Sequence, residues 1–502
     1  MRRRSAEQWA VTGASVIFAL GLLPVVGAGV ARAGTTKRVS VASDGTQGNN
    51  PSYYPFISAD GRFVVFSSNA SNLVPGDANG LHDIFVHDRI TGHTTRVSVA
   101  SGGAEANDWS CDPSISADGR FVAFVSLAGN LADGDTNGKH DVFVHDRQAG
   151  QTARVSVADD GAQGDDNSYG PSVSGDGRFV AFHSEAGNLL PDDTNGATDV
   201  FVHDRQTGYT SRVSVASDGA QGNGWSSDPS ISSDGRFVAF TSSAGNLADG
   251  DTNGSDDVFV HDRHTGQTAR VSVASDGAQG NNDSYWACVS ADGRFVAFAS
   301  SAGNLVEGDT NGAADVFVHD RQAGHTTRVS VASDGTQGND GSYCPSISAD
   351  GRFMAFDSYA DNLVDGDTNG GWDVFLHDRQ TGLTARVSVA SDGGEGNAGS
   401  YGPCISADGR LIAFVSAAGN LVAGDTNGRT DVFVHDRSGL FLLADVNDDC
   451  VVNILDLIAV RNGLNGDVSE GENAKLDVNR DGVINILDMI FVRNSLTTTC
   501  ER

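Results

Sequence analysis

The segment Arg-Val-Ser-Val-Ala starts at Arg38 and returns at Arg96, Arg154, Arg212, Arg270, Arg328 and Arg386, always after 58 residues and without insertion or deletion. A repeat this regular leaves few architectures open, because each unit must bury its apolar side against near-identical neighbours. Four short strands are predicted per unit. In the unit that starts at Arg212, residues 212–216 alternate, 229–232 are small and polar, and 236–242 are rich in Phe, Val and Ala. The fourth, 257–262, reads Asp-Val-Phe-Val-His-Asp. Ser-Asp-Gly, Asn-Gly and Thr-Gly turn signals separate them, and no segment carries a helical period. Four antiparallel strands repeated seven times predict an all-β, seven-bladed propeller. A β-solenoid is the alternative, but its turns are usually shorter than this unit. The repeat region opens with one strand, 38–42, and ends with three, so the opening strand is expected to complete the last blade and remove a free edge.

The run Pro-Ser-Ile-Ser-x-Asp-Gly-Arg-Phe-Val-Ala-Phe, followed by Asp-Val-Phe-Val-His-Asp-Arg-x-Thr-Gly, resembles the TolB-type or WD40-like (PD40) propeller repeat over residues 38–437. That resemblance implies a fold more than an activity, since such propellers serve as scaffolds, gates and some enzymes. The repeated histidines, His87 and His261 among them, sit mid-strand in every blade. Spread around a ring, they are read as inter-strand hydrogen-bond partners and not as one metal site.

Between the second and third strand of each blade lies a run close to Gly-Asp-x-Asn-Gly-x-x-Asp. Oxygen side chains at positions 1, 3, 5 and 9, with Gly at 6, are what a hard cation such as Ca²⁺ takes from a loop. The complete sets are Asp133, Asp135, Asn137 and Asp141 in blade two, and Asp249, Asp251, Asn253 and Asp257 in blade four. Blade six has Asp365, Asp367, Asn369 and Asp373, and blade five substitutes Glu307 at position 1. Blades one, three and seven have Pro75, Pro191 and Ala423 there and are expected to bind weakly or not at all. The pattern is similar to the calcium loops of integrin-type propellers, locally only. A turn stabilised by Asn and Asp side chains, without metal, is the other reading. The inter-blade loops carry aromatics, among them Trp109, Trp225 and Trp286. On one rim these would form a ring on which a glycan could stack, or they would plug the gaps between blades.

After Arg437 the composition changes. Following a linker at 438–444, a 12-residue loop offers Asp445, Asn447, Asp449, Val451 (through its carbonyl), Asn453 and Asp456. A second offers Asp477, Asn479, Asp481, Val483, Asn485 and Asp488. This is the EF-hand ligand order with Asp at position 12, and each loop runs into a short apolar helix. Two such units 32 residues apart resemble a type I dockerin domain over 445–496, with 497–502 as a tail. The resemblance implies a module that folds on Ca²⁺ and docks to a cohesin-like partner. Two departures are visible. Cys450 replaces the position-6 Gly of the first loop, and the pairs at positions 10 and 11 are Ile454-Leu455 and Ile486-Leu487 instead of small hydroxyl residues. A Cys450–Cys500 disulfide would staple a module of this size, whereas pairing among Cys111, Cys288, Cys344 and Cys404 is open.

The N-terminus carries Arg2, Arg3 and Arg4, an apolar stretch, and Ala31-Arg32-Ala33, the pattern of an export signal over 1–33. An uncleaved membrane anchor is the alternative; no other run approaches the length of a span. A secreted, surface or periplasmic protein follows. The net charge of -32, with only Lys37, Lys139 and Lys475 as lysines, argues against a nucleic-acid partner. Three functions compete: a calcium-dependent binding or scaffold protein, a polysaccharide-degrading hydrolase or lyase, and a structural surface protein. Enzymes need a site that breaks the ring symmetry. The near-identical blades show none in sequence, and the singular residues His183, Glu185, Asp357 and Tyr359 are expected to lie away from the channel. The first reading is therefore preferred.

Overall fold

The computed structural model describes residues 34–437. The expected export signal, the twelve C-terminal calcium ligands and the Cys450–Cys500 pair lie outside the described residues. Seven four-stranded antiparallel sheets form the blades of a propeller. Blade four runs from an inner strand, Ser226–Ile231, through Phe237–Ser242 and Asp257–Asp262 to an outer strand, Gln267–Arg270. Blade seven takes its outer strand from the chain's start: Thr35–Arg38 pairs with Asp431–Asp436.

Ring closure through the opening strand is as expected, but the outer strands lie three residues upstream of the expected segments. The segments at 212–216 and 38–42 are replaced by Tyr209–Arg212 and Thr35–Arg38. The Val-Ser-Val alternation records burial and not ladder pairing. Val213 is buried and makes one backbone bond to Val200, while the Ser214 hydroxyl donates to Asp199 at 2.6 Å. Val215 then bridges only Gln221, so the chain folds back on its own loop.

The cores lie between blades. One joins Ala181, Val200 and Val202 of blade three to Val238, Phe240 and Phe259 of blade four. Inside the sheet Phe240 and Phe259 stack with ring centres 6.0 Å apart. The third-strand histidines act across strands: His261 Nδ1 lies 2.9 Å from the Thr268 hydroxyl. Burial pushes its imidazole down to about 4, which keeps it neutral. At the hairpins between inner and second strands, the backbone N–H of Ala59 donates to Ala117, and so on through Gly175, Ser233, Ala291, Ala349 and Ala407, which returns to Ala59. The result is a closed ring of hydrogen bonds of 2.9–3.2 Å.

Candidate functional site

The second-to-third strand loops and the inter-blade loops share the opposite, open face. Gln279, from an inter-blade loop, donates to Asp251 at 2.8 Å and to Asp257 at 3.1 Å, and Asn253 donates to the Gly280 carbonyl. Of the calcium-type positions, 3, 5 and 9 come together and position 1 does not. Asp133, Asp249 and Asp365, like Glu307, are exposed. The gathered carboxylates face a guanidinium of their own blade. Arg154 Nη1 is 3.3 Å from Asp135 and 3.2 Å from Asp141, beside Asn137. Arg270 is 3.5 Å from Asp251 and 3.4 Å from Asp257, and Arg386 is 3.4 Å from both Asp367 and Asp373. A buried cationic fork therefore stands where the loop oxygens converge, and it supplies a positive charge at that point.

Blades one and six differ from the rest by a residue outside the loop. Where other blades have Gln at the inter-blade position, these have Glu105 and Glu395. Carboxylate oxygens of Asp77, Asp83 and Glu105 lie within 4.8 Å of one another, as do those of Asp367, Asp373 and Glu395. Burial, then the neighbouring carboxylates, push Asp77 and Asp367 up to about 6. Blade one, expected to be weak for its Pro75, thus holds as many converging carboxylates as blade six. Three acidic oxygens suit a hard dication in kind, yet Arg96 is 2.6 Å from Glu105, and Arg386 is 2.6 Å from Glu395.

Aromatic rings run along this face in two arcs. In blades one to three, Tyr53, His82, Trp109, His140, Tyr169 and His183 follow one another at 4.9–6.4 Å. Tyr53, Trp109 and Tyr169 are packed against blade cores, as gap-filling rings would be. The second arc runs through Tyr285, Trp286, Tyr343, Trp372 and Tyr359. Trp286 is exposed, and Trp225 is exposed in blade four, outside both arcs. A bulge in every inner strand turns its third residue into the left-handed region. Five of these residues are not glycine: Tyr54 (φ 52°), Asp112 (47°), Asp228 (51°), Trp286 (56°) and Cys344 (48°). Such backbone is costly for side-chain-bearing residues and clusters at ligand sites.

These positions break the seven-fold repeat where the sequence reading placed no asymmetry. Asp112 and Asp228 are acidic groups on inner strands that other blades lack. Burial raises Asp112 first, with the Asp228 charge acting in the same direction. His183 is not remote: its Nδ1 accepts the Asp228 backbone N–H at 3.4 Å, and its ring lies 5.8 Å from Tyr169. Asp357 likewise sits under the second aromatic arc. The signal was available as departures from the repeat at fixed offsets, read across both inner and second strands. Cys111, Cys288, Cys344 and Cys404 are free thiols.

Residues 34–437 therefore make a seven-bladed β-propeller. Residues 443–497 match the family model of the dockerin type I domain. No curated protein matches the chain. Among solved structures, TolB from Acinetobacter baumannii is similar at 15% identity and TM-score 0.37, over 66% of this chain and 62% of that one, which is less than two thirds of that protein's length. An oligogalacturonate lyase from Vibrio parahaemolyticus is similar at 13% identity and TM-score 0.48, over 80% of this chain and 93% of that one. Hydrazine synthase from Kuenenia stuttgartiensis aligns at 15% identity and TM-score 0.39, over 77% and 96%. At these identities the likeness is one of fold. Among the described residues no helix is long and apolar enough to cross a membrane.

Proposed function

We propose that this chain is an exported, calcium-binding, non-catalytic component of an extracellular or cell-surface assembly. Its C-terminal module docks to a cohesin-like partner, and its propeller holds a protein or glycan on the open face. The observation that carries the reading is the match of residues 443–497 to the dockerin type I domain, on a chain whose described residues form a closed propeller. Calcium belongs first to the two C-terminal loops, whose ligands run from Asp445 to Asp456 and from Asp477 to Asp488. In the propeller the arginine forks already compensate the gathered acids, so occupancy there is secondary. The aromatic arcs supply the contact surface, with Trp286 and Trp225 the exposed tryptophans.

Calorimetric titration of the full chain with a panel of cohesin domains tests the docking. Binding is expected in millimolar Ca²⁺, lost in EDTA, and lost in the double variant Asp445→Ala/Asp477→Ala. Failure of every cohesin to bind in calcium would remove the reading. A second reading, a polysaccharide-degrading component, is favoured by Asp112, Asp228 and His183, acid and base groups that break the repeat. Release of reducing or unsaturated ends from plant and algal polysaccharides, lost in Asp228→Asn, would replace the first reading with this one.

A further inference from the structure

Where blades five, six and seven meet, the open face holds a cavity of about 500 Å³ lined by Trp286, Tyr343, Cys344, Asp357, Trp372 and Tyr401. That volume falls within the range of small-molecule sites. The walls are rings. Trp286 stands edge-on to Tyr343 at 5.9 Å, Tyr343 lies 5.5 Å from Trp372, and Tyr359 meets Trp372 at 5.4 Å. Trp286 is 43% exposed and Tyr401 37%, so both are accessible from solvent. Gly402 leaves the blade-seven side open, since a Cβ there would meet nothing within 4 Å.

The one carboxylate in the lining is Asp357, itself 3% exposed. Its Oδ2 accepts the Gly402 N–H at 2.8 Å, and the Cys344 thiol is its other partner. Both partners are neutral. No Arg, Lys or His lines the cavity, and no cation among the described residues forms an ion pair with Asp357. Six blades have no carboxylate at the matching position: Ser67, Val125, His183, Thr241, Ala299 and Val415 stand there. No other blade has a tryptophan where blade six has Trp372. Both departures fall in the same blade and line the same cavity.

A buried carboxylate without a counter-charge, under a set of π-faces, is complementary to a weakly hydrated organic cation. A neutral sugar would need a spread of hydrogen-bond groups for its hydroxyls, and this lining offers few. We propose that this cavity binds the quaternary ammonium group of a small molecule. The proposal rests on the propeller being the ligand-holding part of the chain, and it names the ligand class for one site.

The test is a titration of the full chain followed by tryptophan fluorescence, with choline chloride and with 3,3-dimethylbutan-1-ol, which has the same shape without the charge. Sodium chloride controls for ionic strength. Choline is expected to bind about tenfold more tightly than the alcohol. Asp357→Asn keeps an acceptor for the Gly402 N–H and is expected to remove that preference. Trp286→Ala, at an exposed position, is expected to weaken choline by about five- to tenfold. Equal affinities, or no choline binding at tens of millimolar, would overturn the proposal. So would an unchanged preference in Asp357→Asn. If Asp357→Asn melts early, Trp286→Ala decides alone. Binding of neutral oligosaccharides in place of choline overturns the ammonium site while leaving the propeller a binding module. Loss of cohesin docking, measured separately, bears only on the assembly.

Discussion

Replacing Arg270 by Met removes the charge between Asp251 and Asp257 and keeps most of the side chain's apolar stem. The guanidinium lies 3.5 and 3.4 Å from the two carboxylates, with side chains 9%, 6% and 0% exposed. Breaking a buried pair by removing one partner costs about 3–5 kcal/mol. The Arg270 Nε has no hydrogen-bond partner, so the pair is not fully satisfied and the lower end, about 3 kcal/mol, is expected. For about 400 residues unfolding together this is a fall in Tm of about 3–4 °C. The assay is thermal unfolding of the full chain by tryptophan fluorescence. Apart from Trp9, which precedes the described residues, every tryptophan lies in the propeller, so the signal ignores the C-terminal module. Two further arms sharpen the result. Burial already raises Asp257, so the deficit should shrink as pH falls and the orphaned acids take up protons. Millimolar Ca²⁺ should restore part of the lost stability in Arg270→Met and leave the parent propeller unchanged. A parent propeller whose Tm falls in EDTA would refute the argument that arginine is the counter-ion in these loops.

The three-carboxylate clusters make stability depend on pH. Asp77 is raised to about 6 from an ordinary 3.8. A raised carboxylate binds its proton more tightly in the folded state, so its contribution is full below about pH 4 and is lost as pH rises through 6. Glu105→Gln, which installs the residue other blades carry, is expected to gain about 1 kcal/mol at pH 7 and almost nothing at pH 4; pH-series melts check this, and an equal gain at both pH values would contradict it. Burial raises all four propeller thiols, with Cys404 pushed up to about 12. Cys111, the one buried residue of the four, should resist dithionitrobenzoate in the native chain and react on unfolding, and its rapid native labelling would contradict that burial.

The ring was legible because seven turn-punctuated units of one length admit little else, and the unpaired opening strand indicated how it closes. The outer strand was displaced because period-2 alternation reports which side chains are buried, whereas pairing depends on where the neighbouring strand ends. Val213 satisfies the first without the second. The dockerin type I match at 443–497 was legible because each expected ligand set lies within twelve consecutive residues. The carboxylate clusters were not, since Glu105 joins Asp77 from 28 residues away in another loop. Asp357 was visible as an oddity of blade six, whereas Trp372 was passed over although no other blade has tryptophan there. Their convergence was hidden, because it needs the antiparallel pairing of Phe353–Ser358 with Asp373–Asp378 and walls from the blades on either side. A symmetric sequence also drew attention to what the blades share, while the candidate ligand sites lie where they differ.

Closure of blade seven by Thr35–Arg38 has a mechanical consequence. The chain leaves the propeller toward its C-terminal module from Asp431–Asp436, and that strand is not an edge. Leu411–Ser416 flanks it on one side and the opening strand on the other. Arg38 adds a side-chain clasp to Asp425 and Asp431. A pull on the chain beyond Arg437 is therefore shared by two ladders at once, and the first residues of the described chain act as its anchor plate.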